Sequence, residues 1–207
     1  QGLTTKITAI TNSEFSNNAV KGGTWAEGGA IFNDAYSEIG DITANFTNNS
    51  VIATIEHGKG GAINNSWHSS IQNIKGDFTN NSVVGVTIGA GGAIVNNTSS
   101  SITAIEGSFV GNSVLTSGSN ATPDDSHSAS AGALLNNQST IGNITGDFLN
   151  NTATAVTQSA YGGALVNTTN ASIKDITGDF SENIVTGKLA SLGGALMNYS
   201  NSSIDKS

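Results

Sequence analysis

Ile141-Gly-Asn-Ile-Thr-Gly-Asp-Phe-Leu-Asn-Asn151, followed by Gly162-Gly-Ala-Leu-Val-Asn167, decides the fold, because its parts return along the whole chain. Phe-x-x-Asn recurs at Phe15/Asn18, Phe46/Asn49, Phe78/Asn81, Phe109/Asn112, Phe148/Asn151 and Phe180/Asn183. The second half recurs with Ala30, Ala62, Ala93, Ala133, Ala164 and Ala195. Successive Phe residues are 31, 32, 31, 39 and 32 positions apart. A fixed period of this size marks a stacked repeat array, in which each unit buries its apolar face against the next.

Aligned on that period, the sequence becomes a set of columns. One phase carries Ile7/Ile10, Ile39/Ile42, Ile71/Ile74, Ile102/Ile105, Ile141/Ile144 and Ile173/Ile176. The next carries the Phe column, followed by Val20, Val51, Val83, Val114, Ala153 and Val185. A third carries Ile31, Ile63, Ile94, Leu134, Leu165 and Leu196. Each apolar stretch is short, rich in β-branched or aromatic residues, and bounded by Gly, Asn, Ser or Asp, which reads as strand. The expectation is an all-β chain: a parallel β-helix of about six coils, three short strands to a coil, with coils ~4.8 Å apart. All of residues 1–207 then form one repeat segment. The segment opens inside the Ile-x-x-Ile phase and stops soon after that phase recurs at Ile204. With no distinct capping segment at either end, it reads as part of a longer array.

Two Asn columns accompany the apolar ones: Asn18, Asn49, Asn81, Asn112, Asn151 and Asn183, and Asn33, Asn65, Asn96, Asn136, Asn167 and Asn198. Asn tolerates left-handed backbone at bends, and stacked amides can bond to the copies above and below. Both columns are therefore read as structural. The Gly-Gly before Ala suits a tight turn or a close backbone approach. Without a following Lys-Ser/Thr or a helix it is not a phosphate loop.

Composition narrows the function classes. Fifteen acidic residues face 7 Lys and no Arg, for a formal charge of −8. That balance argues against nucleic acid, whose phosphates draw on clustered Lys and Arg, and against polybasic membrane contact. There is no Cys, hence neither a disulfide framework nor a thiolate metal site. No apolar run approaches the ~20 residues of a membrane-spanning helix.

One irregularity interrupts the period. The connection over residues 115–130 of the fourth repeat is longer than its counterparts and holds the sole proline, Pro123, with Asp124, Asp125 and His127. Insertions in repeat arrays map to loops, often on a binding face, so these four residues form a candidate partner-binding loop. Asp124, Asp125 and His127 are also metal-ligand types, although a solvated loop tip accounts for them.

Alternation of Phe-x-x-Asn with Gly-Gly-Ala-Ile/Leu resembles the passenger repeats of bacterial autotransporter surface proteins, especially the polymorphic outer-membrane protein type. The resemblance covers the whole chain. It implies a right-handed parallel β-helix that is secreted, extracellular and displayed at the bacterial cell surface. It also implies a role as structural stalk or adhesin, with a host-cell receptor or glycan as partner and further coils of the parent chain as neighbours. The family's translocator barrel is not represented in this segment.

Other readings rest on particular residues. Parallel β-helices also house polysaccharide lyases and glycoside hydrolases, which need converging carboxylates or Ca²⁺ with a basic residue. The position before each Phe reads Glu14, Asn45, Asp77, Ser108, Asp147 and Asp179. Asp147 and Asp179 would stack one coil apart, either capping turn amides or, as the lesser reading, sharing a Ca²⁺ ion. With no Arg and dispersed Lys, no catalytic set is assigned, and the chain is read as a non-enzyme without a cofactor. Ice binding through a Thr row is a further alternative, but Thr11, Thr43, Thr145 and Thr177 are interrupted by Lys75 and Glu106. Trp25, Trp67, Tyr36, Tyr161 and Tyr199 fall in or beside loop phases, where they either stack on a partner or cover the ends of interior ladders.

Overall fold

A computed structural model describes residues 5–118 and 128–205. Among these, every regular element is a strand and every strand pairing is parallel, and the chain winds as a β-solenoid of about six coils. Pro123, Asp124, Asp125 and His127 lie outside the described residues.

All three expected phases form strands, and each is stacked in register with its copies. The Ile and Phe phases share one sheet of 11 strands. Within it the register runs Ile71 to Ile102 to Ile141 to Ile173, and Phe46 to Phe78 to Phe109 to Phe148 to Phe180. The Val phase forms a six-stranded sheet from Ala19–Gly22 to Ile184–Gly187, and the Gly-Gly-Ala phase another from Ile31–Asn33 to Leu196–Tyr199. A further sheet of six joins them, from Trp25–Glu27 through His57–Lys59, Ile88–Ala90, Ser128–Ser130 and Ser159–Tyr161 to Ser191–Leu192. Its residues read as loop in the sequence because the inward column is Ala26, Gly58, Gly89, Ala129 and Ala160, which carries no strand-like bulk. Small residues are required there. A Cβ on Gly58 would lie 2.9 Å from Val83 Cγ1, and one on Gly89 would lie 2.7 Å from Val114 Cγ1. The sheet sits so close to the Val column that its buried inward positions are all Gly or Ala; Ser191, in register with Ala160, stands on the exposed last coil.

The largest core stacks Ile, Phe and the Ile/Leu of the Gly-Gly-Ala strand. Phe46, Phe78, Phe109 and Phe148 are fully buried. Consecutive rings lie 4.7–4.9 Å apart with planes within 7° of parallel, a spacing set by the backbone ladder. A smaller core joins the Val column to Ala26, Ala129 and Ala160.

Both Asn columns are hydrogen-bond ladders, buried except at Asn18, Asn183 and Asn198 in the end coils. In the first, each Nδ2 donates to the Oδ1 of the next coil at 2.9–3.0 Å, from Asn18 through to Asn183. The second runs the same way from Asn33 to Asn198 at 2.7–2.9 Å. The left-handed backbone expected of these Asn residues belongs instead to their neighbours. Asn17, Asn48, Asn80 and Asn150, each one position earlier, have φ of 55–57°. The bend is thus made by one residue and sealed by the side chain of the next.

In the Gly-Gly-Ala element the two glycines serve different ends. The first is left-handed (φ 58° at Gly91), a role that Ala131 fills at φ 58° in the fourth coil. The second lies against the coil above: a Cβ on Gly92 would collide with the carbonyl oxygen of Gly132.

Candidate functional site

Polar groups at the columns singled out in the sequence are largely engaged in the fold itself. Before the Phe column, Asn45 Oδ1 accepts the Asp77 amide at 3.0 Å and Asp77 Oδ1 accepts that of Ser108 at 2.8 Å. Ser108 Oγ accepts the Asp147 amide at 3.2 Å and Asp147 Oδ1 accepts that of Asp179 at 2.9 Å. Asp147 thus caps the turn amide of Asp179 in the next coil. Among the described residues no three His, Asp or Glu side chains converge as metal ligands would. In the Thr row, Thr43, Lys75, Glu106, Thr145 and Thr177 are register partners on the outer face, and Lys75 and Glu106 form an ion pair of 3.3 Å across its middle.

The aromatic residues are arranged differently. Trp25, Trp67, Tyr36 and Tyr199 are 45–64% exposed. Alternation places Trp25 and Glu27 on the outer face of their strand, with Ala26 inward. Their register partners in the next coil are His57 and Lys59. Across the Gly-Gly-Ala corner, Phe32 and Asp34 face outward from the first coil, and Asn64 and Ser66 occupy the corresponding positions of the second.

These two outer faces meet along a groove. In the later coils it is filled by Ala90, Val95, Leu135 and Val166, which are buried, with Tyr161 and Met197 packed against them. In the first two coils it is open, as a cleft of about 260 Å³. One wall is Trp25, Glu27 and Lys59; the other is Phe32, Asp34 and Trp67. Ser66, Asn97 and Thr98 complete the lining.

Local contacts hold the first wall. Lys59 Nζ lies 3.4 Å from Glu27 Oε1 and 5.1 Å from the centre of the Trp25 ring. Trp25 also meets the His57 ring edge-on, with centroids 4.5 Å apart. Beside the cleft, Tyr36 stacks on His68 at 4.9 Å. Trp67 and His68 stand at a bend with φ of 51° and 60°. That bend recurs at Ala35/Tyr36, Thr98/Ser99, Thr169/Asn170 and Ser200/Asn201, so the backbone strain belongs to the coil and the aromatic side chains distinguish the first two copies from the third and later ones.

In the cleft at Asp34, and behind its lining at Asn64, hydrogen bonding is incomplete. Asp34 Oδ1 is buried and has no partner, and Asn64 is fully buried with neither Oδ1 nor Nδ2 bonded. Buried polar groups normally find partners, and each orphan costs free energy. Ser66, by contrast, donates to Asn97 Oδ1 at 2.7 Å. Chemically, the arrangement offers flat aromatic faces, an ion pair that is internally neutral and an unpaired acceptor.

Sequence reading located the individual aromatics but not the cleft. Their convergence depends on Trp25 and Lys59 lying on paired strands and on two strands facing across a corner. The alternation of Trp25 and Glu27 around a small inward Ala26 is the one local signal that could have indicated it. No protein-family model, curated protein or solved structure matches the chain.

Proposed function

We propose that this chain is a non-enzymatic segment of a surface-displayed bacterial passenger of the autotransporter type, serving as a stalk that carries an adhesive surface. One observation supports this most directly: chemistry is spent on joining coils. Every interior junction is held by a Phe–Phe stack and two Asn–Asn hydrogen bonds. Such a sequence of equivalent junctions suits a rod that must keep its shape outside the cell, where each coil contacts only its neighbours. The recurrent alternation of Phe-x-x-Asn with Gly-Gly-Ala-Ile/Leu supports the passenger assignment. An acidic composition without Arg fits contact with host proteins or glycans better than with nucleic acid.

Brief protease treatment of intact cells bearing the native parent protein tests the proposal. Loss of the segment from cells whose cytoplasmic markers remain intact is the expected result. Full protection, with digestion only after lysis, would count decisively against surface display.

A further inference from the structure

We propose that the cleft on the first two coils binds a neutral, hydroxyl-rich saccharide of one or two rings, which deepens the adhesin reading and rests on it. The physical case begins with shape. At about 260 Å³ the cleft lies just below the roughly 300–1,000 Å³ of sites that hold drug-sized ligands. Val95 and the apolar cluster beyond it fill the groove from the third coil onward and so limit the ligand's reach along the axis.

Chemistry narrows the class. Trp25, Phe32 and Trp67 are each more than half exposed although they line one cleft. Large aromatic faces left in water favour a partner with an apolar face of its own, as the C–H face of a pyranose has. A purely apolar ligand fits poorly, because the same walls carry Glu27, Lys59 and Asp34. Lys59 is already paired with Glu27 at 3.4 Å and seated over Trp25, so the surplus charge of the cleft is that of Asp34. A carboxylate accepts hydrogen bonds and donates none. The ligand must therefore bring donors without bringing negative charge, and sugar hydroxyls do so.

Asn64 adds an independent observation. It is the register partner of Phe32 and shares a strand face with Ser66, both of which line the cleft. Its amide is nevertheless buried and unbonded at both ends. Asn64 lies behind the lining rather than in it, and only a rotation that turned its amide into the cleft would offer one donor and one acceptor to a hydroxylated ligand. The corresponding positions in later coils are Val95, Leu135 and Val166, which offer none.

Both tryptophans of the chain lie in this cleft, so intrinsic fluorescence is a direct reporter. The intact chain would be titrated with lactose, cellobiose, maltose and N-acetyllactosamine, with sialylated and sulfated counterparts as anionic comparators. A saturable emission shift with at least one neutral sugar, and weaker binding of its anionic counterpart, is expected. Calorimetry on Trp67→Ala and Asp34→Asn, after circular dichroism has verified folding, should show affinity reduced at least tenfold in each. Tyr161→Ala, in the filled part of the groove, serves as the control and should leave affinity unchanged. Absence of saturable binding to every sugar would overturn the proposal, as would affinity that survives both cleft substitutions or a preference for the anionic sugars. Release of reducing ends during incubation would also overturn it, by making the cleft hydrolytic. These outcomes are read on isolated protein. Surface display is read on cells, so either proposal can fail without the other.

Discussion

Phe109 is fully buried, with the rings of Phe78 and Phe148 at 4.9 and 4.7 Å on its two sides. Truncation to Ala removes both contacts and leaves a void that a ladder pinned by its backbone spacing closes poorly. Phe109→Ala should therefore lower the unfolding free energy by about 3–5 kcal/mol, measured by urea denaturation. A change below about 1 kcal/mol would be incompatible with the stacked position. A second residue-scale effect has the opposite sign. Thr169 is β-branched yet has φ of 59°, a conformation that crowds its Cβ. Thr169→Gly should raise stability by about 1 kcal/mol, because glycine adopts this backbone without the steric penalty. The rise would appear as a higher melting temperature.

At the scale of the element, the Asn columns distinguish this solenoid from a merely hydrophobic stack. Asn112 Oδ1 accepts from both the backbone and side-chain nitrogens of Asn81, while its Nδ2 donates to Phe78 O and Asn151 Oδ1. Asn112→Ala strips four groups of a partner in one buried step and should cost about 3 kcal/mol or more. Asn112→Asp keeps the shape but replaces the donor by an acceptor facing Phe78 O and Asn151 Oδ1. That variant should be the less stable of the two near neutrality. It should recover as pH falls, because the protonated acid regains one O–H donor. Urea midpoints at pH ~4 and ~7, on either side of a carboxyl's raised pKa in a buried site, check the crossing, which Asn112→Ala should not show.

Across the whole molecule, the long fourth connection leaves the stacking undisturbed. Ser113–Thr116 pairs in register with the strands on both sides, and so does Ser128–Ser130. Deletion of residues 119–127, which brings this connection to the length found in the third coil, should retain the circular dichroism spectrum. The melting temperature should move by only a few degrees, since the strands on both sides of the deletion keep their register partners. Loss of β structure in that variant would show that the insertion supports the array.

Taken as residues alone, the period of Phe and Gly-Gly-Ala determined the solenoid, the coil count, the interior ladders and the coil-to-coil Asn bonds. Each of these follows from like side chains recurring at one interval, which parallel stacking turns directly into contact. Tertiary structure alone decided the rest. The fourth sheet is invisible in the sequence because its inward column is Gly and Ala, chosen by proximity to the Val column rather than by strand propensity. The left-handed residues fall one place before the first Asn ladder and two or three places after the second, because backbone closure, not the identity of the conspicuous residue, selects them. The cleft arises where outer faces of two strands meet across a corner, joining residues such as Trp25 and Trp67 that no spacing rule relates. Periodicity reports what faces inward and repeats; what faces outward only once becomes a site through the packing that brings it together.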